Sequence, residues 1–97
     1  MRENEIEAKL VKEIRKRGGE CLKFTSPGNT GVPDRIILLP EGRIYFVELK
    51  ADNGTPTKLQ LYWNRKLTEL GFTAGIIYGE QGLEDFLSIA DNAVHSA

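Results

Sequence analysis

Residues 32 to 50 read VPDRIILLPEGRIYFVELK and contain two apolar runs separated by a short turn. Pro40-Glu41-Gly42 supplies that turn, so the two runs are predicted to pair as a β-hairpin. The second run is almost continuously apolar, which is typical of a strand buried on both faces, yet it ends in Glu48 and Lys50. Because strand side chains alternate, these two project from the same face. The hairpin predicts that Asp34, at the start of the first run, lies close to Glu48.

Two neighbouring carboxylates in a buried hairpin need a counter-charge. At about 4 Å they repel each other by roughly 4 kcal/mol at an effective dielectric near 20. A divalent cation removes this repulsion, since magnesium takes oxygen ligands, often one or two protein carboxylates, and keeps waters that a substrate phosphate can displace. Asp34 and Glu48 fit that set of ligands. A structural Glu48–Lys50 ion pair is the alternative, but a desolvated pair is weak evidence for stability and leaves Asp34 uncompensated. Asp34 also suits an Asx cap of the preceding loop.

Length and composition restrict the class of protein. The 97 residues predict a single domain, residues 1–97, and at this size only about 60 to 65% of the unfolded surface can be buried, so dimerisation would add stability. The sequence shows no transmembrane run and no signal peptide, which predicts a cytoplasmic protein without a membrane partner. Cys21, the only cysteine, is predicted to be a buried, inert thiol. His95, the only histidine, lies in a polar tail, which leaves little basis for histidine-based zinc chemistry or a Ser-His triad.

Charge is unevenly distributed along the chain. All 13 Lys and Arg lie in residues 1 to 66, against nine Asp and Glu, which gives this part a net charge of +4. The remaining residues hold five acids and no Lys or Arg. A locally basic surface for nucleic acid is therefore compatible with the overall net charge of −1. Ordinary solvated faces explain the same distribution equally well.

The first amphipathic pattern predicts a helix from about Asn4 to Arg17, ended by Gly18-Gly19. Its apolar stripe consists of Ile6, Leu10 and Ile14. At 100° per residue from Ile6, this stripe and Val11 span an arc from 0° to about 140°, and Glu7 falls inside it at about 100°, so its carboxylate is predicted to face inward. A solvated helix residue is the alternative interpretation of Glu7.

A second amphipathic helix is predicted after the hairpin. Thr55-Pro56 supplies an N-cap followed by proline at the first helical position, and the helix runs to about Leu70. Its predicted buried stripe consists of Leu59, Trp63, Leu67 and Leu70. Gln60 lies at the border of that stripe, where it either reaches the carboxylates or is an ordinary border residue. A strand at residues 73–78 and a closing helix complete a compact α/β domain.

These residues together resemble the PD-(D/E)xK nuclease superfamily: an Asp at a strand start, a Glu-x-Lys at the end of the next strand, a Glu on the preceding helix and a Gln on the following one. More narrowly, Gly31-Val32-Pro33-Asp34-Arg35, Phe46-Val47-Glu48-Leu49-Lys50, and Pro56 with Gln60 are similar to the virus-type replication-repair nuclease (VRR-NUC) domain. The resemblance covers most of the chain. It implies a restriction-endonuclease-like core, α-β-β-β-α-β-α, with a mixed central sheet flanked by helices.

The resemblance also implies roles for individual residues. Asp34 and Glu48 bind Mg²⁺ or Mn²⁺, together with the backbone carbonyl of Leu49, and Lys50 positions or activates the attacking water. Gln60 orients the lysine or the water. The last member of the predicted catalytic set is Glu7, which holds a metal-bound water or a second metal.

The activity implied by the resemblance is metal-dependent hydrolysis of DNA phosphodiester bonds by an endonuclease in replication, recombination or repair. Standalone members of the family are viral or prophage proteins, which places the chain in the cytoplasm of a bacterium or of a phage-infected host. They resemble Holliday-junction resolvases, so branched DNA and a homodimer are expected. A nuclease acting on linear duplex and a noncatalytic DNA-binding or assembly module with the same fold are the alternatives.

Contacts with the DNA backbone are predicted from position alone. The loop of residues 25–31 leads into Asp34, so its amides and hydroxyls can approach a phosphate beside the metal, although a plain flexible turn is the alternative. The predicted DNA-contacting residues are Lys23, Ser26, Asn29, Thr30, Arg35 and Lys58.

Overall fold

Three helices and four strands make up the computed structural model, which describes residues 1–95 and leaves residues 96–97 of the predicted domain outside it. In chain order they are α1 (Glu3–Lys16), β1 (Glu20–Lys23), β2 (Arg35–Leu39), β3 (Arg43–Lys50), α2 (Lys58–Glu69), β4 (Thr73–Tyr78) and α3 (Gly79–His95). This order confirms the predicted α-β-β-β-α-β-α arrangement. No helix within these residues is both long and apolar enough to span a membrane.

The four strands form one mixed sheet in the order β1-β2-β3-β4. β1, β2 and β3 pair antiparallel, and β3 pairs parallel with β4, which α2 connects to it as a crossover. The β2–β3 hairpin turns through Glu41 and Gly42, both at positive φ. The sheet is therefore the predicted mixed sheet, with the hairpin of residues 35–50 at its centre.

The hydrophobic core lies between one face of the sheet and helices α1 and α3. The predicted stripe of α1, Ile6, Leu10 and Ile14, is fully buried. It packs in one cluster with Tyr45, Val47 and Leu49, which share a face of β3 by alternation. Cys21 is buried in the same cluster, as predicted, and burial raises the pKa of its thiol.

Helix α2 lies on the opposite face of the sheet from the core. On that face of β3, the side chain of Glu48 contacts α2, and Phe46 packs edge-to-face with Phe24 and Phe72. The two faces therefore differ: one is a continuous apolar core, and the other carries the acidic end of β3 beneath α2.

Several sequence-based details of the helices were wrong. Helix α1 begins and ends one residue earlier than predicted. The N-cap of α2 is Thr57 rather than Thr55, and α2 contains no fully buried residue. Leu59 and Leu70, predicted to be buried, are 49% and 62% exposed. Helical periodicity identifies which side chains share a face, but it does not show whether another element covers that face.

Candidate active site

Asp34 and Glu48 lie directly opposite each other at one end of the hairpin. Arg35 pairs with Val47, and continuing that antiparallel register by one residue brings Asp34 to Glu48. The Asp34 carboxylate accepts a hydrogen bond from the backbone N–H of Leu49, with 3.1 Å between Oδ2 and N. This hydrogen bond crosses the hairpin, whereas an Asx cap would bond to the preceding loop. The structure thus brings together the two carboxylates that the sequence predicted to be neighbours.

Glu48 is a buried acid with an unsatisfied oxygen. The residue is 5% exposed, and its Oε1 has no hydrogen-bond donor within the described chain. Burial, then a hydrogen bond to the Asp34 carboxyl, then the Asp34 charge raise the pKa of Glu48 to about 8, while the charge of Lys50 lowers it. At neutral pH and without a cation, the two carboxyls therefore retain a proton between them. A positive charge at this position would replace that proton.

Gln60 fixes the other oxygen of Glu48. Its Nε2 donates to Glu48 Oε2 at 3.0 Å. The same side chain completes a capping box at the start of α2, because Gln60 Oε1 accepts from the Thr57 backbone N–H at 2.8 Å. Thr57 Oγ1 in turn accepts from the Gln60 N–H at 3.1 Å. Both ends of the Gln60 amide are therefore engaged, and the start of α2 determines how Glu48 is oriented.

Lys50 lies two residues after Glu48 on the same face of β3 and is half-buried. Its positive charge acts on Glu48, as the lowering effect on the Glu48 pKa shows. Leu49, between them, is 1% exposed and lines a cavity at this end of β3. The Glu-x-Lys sequence thus places a carboxyl group and an ammonium group on one face of β3, with the buried residue Leu49 between them.

A cavity of about 240 Å³ opens beside Asp34. Its lining residues come from α1, the end of β1, the following loop and the hairpin: Glu3, Glu7, Lys23, Phe24, Thr25, Asp34 and Leu49. Glu7 therefore faces inward, as its position on the helix predicted. Within residues 1–95, no group of three or more His, Cys, Asp or Glu side chains has an arrangement suited to holding a metal ion.

Arg35 occupies a different place from the one that the sequence suggested. It was predicted to contact DNA, but it is 7% exposed, and its guanidinium pairs with Glu7 at 3.1 Å. The signal for this position was available in the sequence, because Arg35 shares its strand face with Ile37 and Leu39, which are both buried. The side chain therefore lies on the core face and presents no free surface to a DNA strand.

The other predicted DNA-contacting residues surround the same end of the sheet. Lys23 and Lys58 are exposed, the first at the cavity and the second at the start of α2. In the loop, Asn29 donates its side-chain amide to Ser26 Oγ at 2.9 Å and its backbone N–H to the Ser26 carbonyl at 3.0 Å. Thr30 is exposed next to this turn. The loop is therefore a hydrogen-bonded turn with an open polar surface.

No family model matches the sequence. Over 87 residues the chain is 47% identical to "Putative nuclease p44" of Acyrthosiphon pisum secondary endosymbiont phage 1, covering 90% of this chain and 92% of that protein. A solved "VRR_NUC domain" superposes with a TM-score of 0.84 at 24% identity, over 89% of this chain and 94% of the other.

The chain belongs to the family of this putative phage nuclease, and its fold is that of VRR_NUC domains. A second solved structure, a "VRR_NUC domain protein", superposes with a TM-score of 0.67 at 20% identity, over 95% of this chain and 87% of that one. The fold is the restriction-endonuclease-like fold of VRR-NUC structures, as the sequence predicted. In this fold, the carboxylate pair lies where β2 and β3 meet, between α1 and α2.

Proposed function

We propose that this protein is a metal-dependent endonuclease that hydrolyses phosphodiester bonds in DNA. The observation that supports this most strongly is the buried Asp34–Glu48 pair. A carboxyl with a pKa of about 8 and an unsatisfied buried oxygen costs folding free energy, and clustered titratable groups of this kind are typical of functional sites. The phage relative carries the word nuclease in its name, which supports the same activity.

The residues present fit a divalent cation. Asp34 and Glu48 would hold Mg²⁺ or Mn²⁺ together with the Leu49 carbonyl, and the unsatisfied Glu48 oxygen is the donor that such a hard cation prefers. When bound, the cation acts as a Lewis acid on the phosphate and lowers the pKa of water. Two carboxylates and one carbonyl leave room for waters and for a phosphate oxygen.

The other site residues would orient the reacting groups and stabilise the charge that develops on the phosphate. Lys50 holds the attacking water near the pair and places a positive charge where the phosphate gains negative charge during attack. Gln60 keeps Glu48 in one orientation by donating to its Oε2, so its role is to position the ligand rather than to touch the water. Glu7 faces the same cavity as Asp34, where it would hold a metal-bound water or a second metal.

DNA would approach across the polar side of the cavity. Lys23 and Lys58 supply positive charge for the backbone, while Ser26, Asn29 and Thr30 offer polar groups from the loop that leads into Asp34. Of these residues only Lys58 lies in a helix, as the first residue of α2. We therefore expect recognition of DNA structure and backbone rather than of sequence, with branched DNA as the substrate in replication, recombination or repair.

A homodimer would present two such sites to the two strands of a branched substrate. The apolar surface outside the core supports association. A groove of about 520 Å³ lies between β4 and α3, with Phe86 and Ile89 among its apolar lining, and β4 is an edge strand. A second copy would cover both the groove and the edge. Light scattering on the purified protein measures this directly.

Cleavage assays with Asp34→Asn and Lys50→Met test the proposed activity. Both variants should lose cleavage by about a hundredfold or more, because they remove a cation ligand and a charge on the reacting phosphate. The substrates are an end-labelled four-way junction and the matched linear duplex, each with Mg²⁺, Mn²⁺ or EDTA. Glu84→Gln is the matched control, since it removes an exposed carboxylate of α3 outside the site.

The cleavage pattern separates the candidate functions. Paired nicks at the junction that require the cation and disappear in Asp34→Asn support a resolvase-like enzyme. Equal cleavage of the linear duplex would retain the nuclease and remove selectivity for branched DNA. Intact DNA binding without cleavage of either substrate would instead favour the noncatalytic DNA-binding module.

A further inference from the structure

One buried charge, the Arg35 guanidinium, has no role in the proposed chemistry. Arg35 follows Asp34 directly and is the first residue of β2. It lies on the core face of the strand, with 9% of its side chain exposed, whereas Glu48 lies on the face covered by α2. The guanidinium therefore sits beneath the carboxylate site, on the side where α1 packs.

Arg35 connects the start of β2 to two other elements. Its Nη2 pairs with Glu7 Oε1 of α1 at 3.1 Å. Its Nη1 donates to the Cys21 carbonyl of β1 at 3.1 Å. The third nitrogen, Nε, is buried and has no hydrogen-bond partner within the described chain. Arg35 thus fixes the position of Glu7 from below the cavity that Glu7 and Asp34 line.

Stability alone does not account for this arrangement. The guanidinium is buried, whereas the Glu7 side chain is 34% exposed. Such a pair offsets the desolvation of its buried charge only with excellent geometry, and apolar residues of similar volume often serve as well or better. Within residues 1–95 the guanidinium Nε also has no hydrogen-bond partner, which adds to the cost. The neighbours of Arg35 on the same strand face, Ile37 and Leu39, are buried and apolar. A function for the charge explains its retention better than packing does.

We propose that Arg35 is a positioning residue that holds Glu7 in place and neutralises it, so that Glu7 adds no net negative charge to that of Asp34 and Glu48 at the cation site. This inference rests on the proposed nuclease function. A phosphate beside Asp34 then meets a neutral Arg35–Glu7 pair rather than an unpaired Glu7 carboxylate. Glu7, held by its Oε1, orders water in the cavity without competing as a ligand.

A charge cycle of Arg35→Met, Glu7→Gln and the double variant tests the proposal. Mn²⁺ affinity is measured by calorimetry without DNA, and KM and kcat are measured separately on the junction. Arg35→Met exposes an unpaired carboxylate, so Mn²⁺ should bind about fivefold more tightly while KM for DNA rises by a similar factor. Glu7→Gln leaves the guanidinium unpaired and should weaken Mn²⁺ binding by about fivefold. The double variant should return close to the wild-type affinity.

Two control variants separate this role from a purely structural one. Arg35→Lys keeps the charge and should keep the wild-type Mn²⁺ affinity. Arg17→Met removes another interelement ion pair, with Asp91, about 15 Å further along α1 from Glu7. It should lower the melting temperature without changing Mn²⁺ affinity. Melting temperatures of all variants are recorded by circular dichroism.

The outcomes distinguish this inference from the proposed function. If wild type cleaves DNA but Arg35→Met leaves Mn²⁺ affinity and KM unchanged, the role of Arg35 is overturned and the nuclease stands. Weaker Mn²⁺ binding in Arg35→Met that follows a fall in melting temperature would make the pair structural only. A wild-type protein that neither binds Mn²⁺ nor cleaves DNA would overturn both proposals.

Discussion

Glu48 shows how one side chain links stability to the candidate chemistry. It is buried beside a second carboxyl, and the pKa of Glu48 rises from its ordinary value of 4.5 to about 8. Gln60 donates to one oxygen, and within residues 1–95 the other, Oε1, has no donor while both carboxyls are ionised. A residue in this environment is unfavourable as a bare anion and favourable either with a proton or with a cation. We therefore expect protons and divalent cations to compete for the pair.

The metal-free protein should lose stability as pH rises from about 4.5 to 8. In this window the folded state retains a proton on Glu48 that the unfolded state releases, so the free energy of unfolding falls with rising pH. Urea unfolding in EDTA at several pH values measures the effect. Glu48→Gln, which cannot titrate at this position, should show a weaker dependence of the free energy of unfolding on pH. Adding Mg²⁺ at pH 8 should raise the free energy of unfolding of the wild-type protein, because the cation binds the folded state. Parallel curves for the two proteins in EDTA would contradict the assignment.

At the scale of the elements, α2 is placed by a contact that only glycine permits. Gly31 has a φ of 97°, and a Cβ built there would lie 2.6 Å from Leu59 Cβ in the first turn of α2. Gln60, the next residue, donates to Glu48. The loop before Asp34 and the helix that orients Glu48 therefore touch at a point without room for a side chain.

Gly31→Ala should reduce the rate of DNA cleavage far more than Gly28→Ala does. The added methyl group pushes the first turn of α2 away and misplaces Gln60 against Glu48, and a shift of about 1 Å at a site can cost about a hundredfold in rate. The matched control is Gly28→Ala, which also has positive φ but has open space around a Cβ. Both substitutions should cost about 1–2 kcal/mol of backbone strain. Gly31→Ala should cost more than Gly28→Ala in urea unfolding, because its methyl group also meets the backbone of Leu59. Equal cleavage by the two variants would argue against this coupling.

The pairing of the strands was easier to predict than which helix faces are buried. Alternation and the short turn were sufficient to place Asp34 opposite Glu48, because the register of a tight hairpin fixes which side chains meet. For α2, periodicity correctly brought Gln60 to the border of the site but wrongly buried Leu59. Burial depends on whether a neighbouring element covers a face, which local sequence does not specify. Arg35 was wrongly predicted to contact DNA, because its charge was given more weight than its position on the same strand face as apolar residues.

For the molecule as a whole, charge distribution matters more than net charge. The part of the sequence up to residue 66 carries all of the Lys and Arg, and the remainder is acidic. Lys23 and Lys58 lie at the site end of the fold, exposed and from separate elements. Other basic residues are engaged elsewhere, as Arg15 is with Glu20 and Lys16 with Glu13. A molecule of net charge −1 can therefore offer DNA one favourable side.

Removal of Lys23 and Lys58 should weaken DNA binding and reduce its dependence on salt. If each contacts one phosphate, the Lys23→Ala, Lys58→Ala double variant should lower the slope of log affinity against log salt by about 2. Binding is measured in EDTA, which prevents cleavage, on both junction and duplex. Arg15→Ala with Lys16→Ala removes the same charge about 12 Å further along α1 from Glu7. If that control lowers the slope equally, DNA responds to overall charge and the site end of the fold has no special part in binding.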